Sequence, residues 1–539
     1  MPTMPLETES VGASGIASPR RKADLGAFAA DLEDQIARSI ESAADLTAVE
    51  RFSRWHEHGT VPAHEPFYRD LMPASAPAPG FQYAFEVDLD KCSSCKACVA
   101  ACHSQNGLDP AESWRTVGTL VGKESRATVT SSCHHCVEPG CASGCPTLAY
   151  EKDDLTGIVK HLDDQCMGCQ YCTWTCPYDA PKWNESLGIV RKCDMCHGRL
   201  AAGEAPACVQ SCPSRAIRIV VVDKDALKAD PNAGTRLPGI VPPERTLPTT
   251  AYLNLEDPAS SPADRDVLRP EHAHAPLAVL LVLTQWAAGI WILEILRRAV
   301  GWQPWEWARP CAGALLLAGL GIGTLHLGRP LKAWKAFLGW RRSWFSREVL
   351  AMGTAVPFVA VASVPVAIAP IPESVATVAN GLAAAFLLAG VGCSAMLYMA
   401  TPRPAWARAA TAWRFGLTTL GGGAVVLGAS GMQGLRWMGV ASIVAGVAKA
   451  ILVLSDRRPR SEPTGALVLQ ARLLRGPLAS QARAQAVLFV FAVAAAALGS
   501  WTGVAAWLVV ALVFRMASDL VERTLFFRSC PSTRMPGGV

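Results

Sequence analysis

The chain has 539 residues, half of them hydrophobic and 18% charged, with a formal net charge of +5, so two or three domains are expected rather than one. Its basic surplus sits mostly in loops between apolar runs, which leaves a nucleic-acid partner without support and fits membrane orientation instead. Only Cys311, Cys393 and Cys530 of the 19 cysteines lie outside the stretch from Cys92 to Cys212.

Residues 1–80 read as an N-terminal extension. Arg20 and Arg21 are followed by Lys22, Ala23 and Asp24 rather than by an apolar core, so export by this segment is not expected. The cysteine-rich part is then expected in a reducing compartment, where thiolates are free to bind metal. Apolar positions at mixed helical spacing predict a helix around 24–58, and "PASAPAPG" (73–80) predicts a hinge.

From Phe81 short strands alternate with turns. "FQYAFEVDLDKC" and "GIVKHLDDQC" each lead a strand into a cysteine group, and "RAIRIVVVD" (215–223) is a strand after the last group. The region 81–225 reads as one domain. Residues 226–273, rich in Pro, Asp and Ala, read as a linker.

The region 274–522 reads as a transmembrane anchor with apolar segments near 275–296, 310–327, 348–369, 375–399, 409–429, 437–455, 485–500 and 503–520. A tail, 523–539, follows. Loops after the even-numbered segments, with the tail, carry most of the arginines, among them Arg329, Arg341, Arg342, Arg347, Arg403, Arg408, Arg457, Arg472 and Arg528. The other side has Arg297, Arg298, Arg309 and Arg436. Basic loops stay in the cytoplasm, so the cysteine domain and both termini are expected on the cytoplasmic side of the inner membrane.

Four cysteine groups carry the chemistry: Cys92, Cys95, Cys98, Cys102; Cys133, Cys136, Cys141, Cys145; Cys166, Cys169, Cys172, Cys176; and Cys193, Cys196, Cys208, Cys212. The first and third have the C-x2-C-x2-C-x3-C spacing of bacterial ferredoxins, and the last three end in Cys-Pro. In such a run three thiolates wrap one iron–sulfur cube and the fourth serves the cube of a partner group, so four [4Fe–4S] clusters are expected. Zinc ribbons, by contrast, pair two C-x2-C knuckles about one ion and leave the remaining cysteines without a role. His103 stands where the other groups have proline, and the gap from Cys196 to Cys208 is long; neither removes a ligand. His134 and His135 read as neighbours of ligands, and Arg191, Lys192 and His197 as local charge around the fourth group.

In spacing and order, region 81–225 resembles the four-cluster electron-transfer subunit of the DMSO-reductase family of molybdenum enzymes. The resemblance implies that the outer groups exchange their last cysteines, as do the inner ones. Carried over, Cys92, Cys95, Cys98 and Cys212 hold the first cluster, and Cys193, Cys196, Cys208 and Cys102 the second. Cys133, Cys136, Cys141 and Cys176 hold the third, and Cys166, Cys169, Cys172 and Cys145 the fourth. Cys169 stands where some relatives have tryptophan and a three-iron cluster, so four irons are implied. The membrane half resembles the dimethyl sulfoxide reductase anchor subunit through "LHLGRPLKAW" (325–334) and "SWFSREVLAMG" (343–353). There the resemblance places the quinol site at His326 and Glu348.

The expected architecture is an α+β ferredoxin-like double [4Fe–4S] domain followed by an all-α polytopic membrane bundle of about eight helices. The expected function is a fused electron-transfer and membrane-anchor subunit, passing electrons between the quinone pool and a separate molybdopterin catalytic subunit. As a DMSO-type reductase the complex would oxidise quinol; as a sulfite-dehydrogenase relative it would reduce quinone, and a cytoplasmic cluster domain favours a cytoplasmic partner of the second kind. The alternative from another class is a membrane transporter or redox sensor with a ferredoxin-type regulatory domain, whose mark would be paired polar residues at mid-bilayer depth or broken helices in repeated halves. Arg414, Lys449, Arg515 and Asp519 are the polar groups within the apolar segments that lie toward the basic side, and Glu294 lies toward the other.

Overall fold

The computed structural model describes residues 31–36, 38, 39, 47, 50, 65–231, 237–363, 371–458 and 465–536, in two compact units, 1–67 and 68–539. In the first unit residues 31–36, 38 and 39 are helical; most of the helix expected over 24–58 lies outside the described residues.

The first strand of the second unit is β1 (Phe81–Asp88), whose Gln82, Ala84, Phe85 and Val87 are buried. The chain then runs through α1 (Ala97–Asn106), β2 (Thr116–Val121), β3 (Arg126–Ser131), α2 (Gly140–Gly144), β4 (Tyr150–Lys152), β5 (Val159–His161), α3 (Tyr171–Thr175), β6 (Lys182–Asn184), β7 (Ile189–Arg191), α4 (His197–Ala201), α5 (Ala207–Gln210), β8 (Ile217–Asp223) and α6 (Lys224–Ala229). Strand β8 returns antiparallel to β1, with Phe81 opposite Asp223 and Val87 opposite Ile217. Hairpins β2–β3, β4–β5 and β6–β7 lie between these two strands in sequence.

The short helices end where their sequences stop them. α2 and α3 each run into a Cys-Pro pair, and proline can neither donate to nor fit the next helical turn. In the first group His103 replaces that proline, and α1 accordingly continues to Asn106, where Gly107 caps it at φ +53°.

The segment expected as a linker is built into this domain. Strand β9 (Ala251–Leu253) pairs parallel with β1, and β10 (Ser261–Pro262) pairs with β2, so residues 226–273 supply the edges of two sheets. Proline suits such places, because an edge strand leaves one side of its backbone unpaired.

Eight long helices follow among the described residues: α7 (Ala275–Ala299), α8 (Ala308–Gly323), α9 (Trp344–Ser363), α10 (Glu373–Met399), α11 (Ala409–Ala429), α12 (Leu435–Ser455), then, after a short amphipathic α13 (Ala466–Arg475), α14 (Ala479–Thr502) and α15 (Ala505–Arg528). Six are long and apolar enough to cross a membrane; α11 and α15 are not among them. α15 carries Arg515, Asp519, Glu522 and Arg523, all buried against other helices. It also extends to Arg528, past the expected end of the anchor at 522. α7 lies inside the bundle, packed on α8, α10, α11 and α15, with Trp286 and Trp291 fully buried. α13, unforeseen in the sequence, packs Leu473 and Leu474 on Leu478, Ala482 and Leu525.

Candidate functional site

All four cysteine groups share one backbone device. The residue before the second cysteine of each C-x2-C pair is left-handed: Ser94 (φ 62°), His135 (42°), Gly168 (73°) and Met195 (58°). That twist turns backbone N–H groups inward. The amides of His135, Gly168 and Met195 point at the sulfurs of Cys133, Cys166 and Cys193, 3.4–3.5 Å away. Such nests of amides favour anionic sulfur.

The expected partners come together in space. Cys92, Cys95, Cys98 and Cys212 line one pocket, and Cys133, Cys136, Cys141 and Cys176 line another. Cys102 lies beside Cys208 and Cys196, with Cys193 next to it; Cys145 lies beside Cys166, Cys169 and Cys172. Neighbouring sets touch in sequence: Cys98 by Cys208, Cys193 by Cys133, and Cys141 packed with Cys172. The four sets therefore form a line.

The donor chemistry fits iron–sulfur cubes. Burial, followed by the neighbouring sulfurs, pushes most of these thiols up, Cys102 to about 12, so without a bound metal few would ionise. Cubes of iron would supply the positive charge that keeps them as thiolates. Among the described residues no three Cys, His, Asp or Glu side chains are close enough to hold a single metal ion. One zinc would gather its sulfurs to about 2.3 Å from a common centre; here they surround wider pockets.

Two buried cations stand between the sets. Arg115, donating to the hydroxyls of Thr130 (3.2 Å) and Ser132 (3.0 Å), faces Cys98, Cys102, Cys193 and Cys208. Lys192 donates to the carbonyls of Val159 and Cys193; burial works against its charge, but Cys133, Cys141 and Cys193 outweigh it. Of the expected charged neighbours, Lys192 is thus buried among cysteines of two groups, Arg191 is engaged with Glu112, and His197 pairs with Asp194 at 2.7 Å. Arg115 gave no signal in the sequence, because it reaches the cysteines only after β2 and β3 fold over them. His134 and His135 are both buried, and burial drives both rings far below their usual range, His134 to about 3.

The fourth set sits on the helical bundle. The backbone of the "LHLG" turn bonds directly to its loop: Gly328 N–H to the Gly168 carbonyl (3.3 Å) and Arg329 N–H to the Met167 carbonyl (3.0 Å). Gly339 N–H and the Ser343 hydroxyl reach the carbonyls of Pro146 (2.8 Å) and Gly144 (2.6 Å), next to Cys145. The Tyr171 hydroxyl donates to the Leu397 carbonyl of α10 (2.8 Å), and Trp174 packs edge-on against Trp406. The arginine-rich loops, represented by Arg329 and Arg472, lie at this end of the bundle.

His326 ends a 3-10 turn here; its Nδ1 is bonded to the Gly323 carbonyl, and its buried Nε2 has no partner among the described residues. Glu348, near the start of α9, accepts from Ser394 of α10. The two side chains share no hydrogen bond, but each lies near the fourth set: His326 within the docked turn, and Glu348 near enough to Tyr171 that, after burial, it helps hold that phenol up.

Residues 126–222 match the 4Fe-4S dicluster domain family, and residues 271–528 match the DMSO reductase anchor subunit family. The chain is 37% identical over 155 residues to the B subunit of the anaerobic dimethyl sulfoxide reductase of Escherichia coli (strain K12), covering 26% of this chain and 75% of that protein. It is 33% identical over 156 residues to the corresponding subunit of Haemophilus influenzae, covering 26% and 76%. The hydrogenase-2 operon protein HybA of Escherichia coli O157:H7 is 35% identical over 160 residues, covering 24% of this chain and 49% of that one.

Proposed function

Since the chain belongs to the family of iron–sulfur B subunits of dimethyl sulfoxide reductase, here fused to an anchor domain of the same enzyme type, we propose that it carries electrons between the quinone pool and a separate molybdopterin subunit. Its sixteen clustered cysteines hold four [4Fe–4S] clusters in the sets Cys92–Cys95–Cys98–Cys212, Cys193–Cys196–Cys208–Cys102, Cys133–Cys136–Cys141–Cys176 and Cys166–Cys169–Cys172–Cys145. Bound there, the clusters supply a series of one-electron carriers.

The observation that carries this reading is the backbone contact between the LHLG turn and the fourth cysteine loop. It supports a quinone site at His326, two residues before the docked Gly328, whose Nε2 is buried and without a partner among the described residues. Oxidising a quinol releases two protons with two electrons, and a neutral imidazole nitrogen can take one proton. Glu348, held by Ser394, is the second polar group of the proposed site. At the far end of the line Cys95 is exposed, which suits delivery to a catalytic partner docked there. The basic loops gathered on the cluster-domain side support a cytoplasmic placement of that domain, in the inner membrane.

The test is kinetic and analytical. The purified complex should contain about sixteen irons per copy of this chain, and zinc in their place would sink the assignment. His326→Ala should slow quinone-linked turnover by roughly 100-fold, a loss in the range of one proton-transfer group. Dye-linked activity of the catalytic partner should be unchanged; quinone kinetics equal to wild type would remove His326 from the site.

A further inference from the structure

After α15 the described residues stay on the molecule. Residues 529–536 turn back along the cysteine domain and are tied down at successive points. Cys530 is fully buried, Ser532 N–H bonds to Glu271 (3.2 Å), and Arg534 is paired with Asp264. Met535 then enters the core of the cysteine domain, packed with residues that include Cys133, Cys136 and Cys176.

There its sulfur lies 3.2 Å from Nε2 of His134. A thioether can only accept, so the proton of this bond is on Nε2. Nε2 of His134 is therefore the donor of this contact, while Nδ1 is buried and without a partner among the described residues. The ring is also wedged edge-on against Tyr178, 4.4 Å between centroids, and its carbonyl is held by the Thr249 hydroxyl at 2.7 Å. Between Cys133 and Cys136, it forms part of the wall of the third cysteine pocket.

Filling that space needs only an apolar side chain of similar size. Satisfying the Nε2–H needs an acceptor, and within this contact only Met535 provides one. Hydrogen bonding and solvent exposure around cluster ligands set reduction potential, so whatever fixes this ring acts on the cluster.

We propose that Met535 is a positioning residue for electron transfer: through Nε2–H it locks His134 as the dry wall of the third cluster, making residues 529–536 part of the conductor. This rests on the proposed third ligand set, Cys133, Cys136, Cys141 and Cys176.

The experiment is a redox titration of the whole purified complex followed by electron paramagnetic resonance. It compares wild type, Met535→Leu, Met535→Gln and a chain ended after Ser529. Wild type lacking four-iron signals would defeat the ligand reading itself, separately from this inference. With those signals present, Met535→Leu should move the midpoint of one centre and leave the other three in place. Met535→Gln, whose amide oxygen restores an acceptor, should return it to the wild-type value. The shortened chain should raise that midpoint further, because water entering the wall favours the more highly charged reduced state. An unmoved midpoint in Met535→Leu, or equal shifts in the Leu and Gln variants, would overturn the proposal. If Met535→Leu fails to retain iron, a fully loaded Met535→Gln with the wild-type midpoint supports it, and loss of iron in both overturns it.

Discussion

At Gly168 the backbone is left-handed, and a Cβ there would run into the Gly188 carbonyl and the backbone of Gly328. Gly168→Ala therefore combines left-handed strain of roughly 1–2 kcal/mol with a backbone collision that the turns at Gly188 and Gly328 must both move to relieve. Iron should fall from about sixteen to about twelve atoms per chain, since one cube is lost. Gly107 is also left-handed but faces open space. Gly107→Ala should cost only the strain and keep its iron, so iron analysis of the pair separates conformation from contact. Arg115 acts through its charge. Arg115→Met removes a buried positive charge facing Cys98, Cys102, Cys193 and Cys208 while keeping most of the volume. The reduced, more negative clusters lose a stabilising neighbour, so the midpoints of the first two should become more negative in a redox titration; no movement would mean that the charge is screened out.

At the scale of elements the conspicuous case is α15, too charged to resemble a membrane span yet buried in the bundle. Lys449 of α12 bridges Asp519 and Glu522, both at 2.9 Å, while Arg515 and the Trp286 indole also reach Asp519. Arg414 engages Asp456, and Arg523 donates to Gln285 at 3.0 Å. The charges answer one another across α7, α11, α12 and α15, and a buried carboxylate stripped of its partner costs about 3–5 kcal/mol. Lys449→Met should lower the thermal unfolding temperature of the detergent-purified protein markedly. Replacing Glu522 by Gln in the same variant should recover much of the loss, because Asp519 keeps Arg515 and Arg523 keeps Gln285. If Lys449→Met unfolds at the wild-type temperature, the network does not hold these helices together.

For the whole molecule, the loops opposite the cysteine domain meet at one end of the bundle, where Gly434 faces Trp302 and Gly503 faces Arg436. If the cluster domain is cytoplasmic, a cysteine at the exposed Trp501 should react with an impermeant maleimide in intact spheroplasts. One at the exposed Leu331 should react only after permeabilisation; the reverse pattern would invert the orientation. Much of this arrangement was written locally. Cysteine spacing, Cys-Pro stops and runs of apolar residues act within a turn or a helix length, so the four groups, the strands leading into them and the long helices were legible in sequence. The proline-rich segment 226–273 misled, because composition describes a strand's own backbone and not the edge it finds, here on β1 and β2. Arg115, Met535 and the docking of the LHLG turn were equally invisible. Each depends on contacts between residues far apart in the chain, up to 401 positions for Met535 and His134. Which atoms could bind iron and which stretches could enter a bilayer were already set by residue order alone. Which cysteine set meets the bundle, which buried charges face the sulfurs and where Met535 packs depend on folding, because burial and pairing are properties of neighbours that the chain acquires only then.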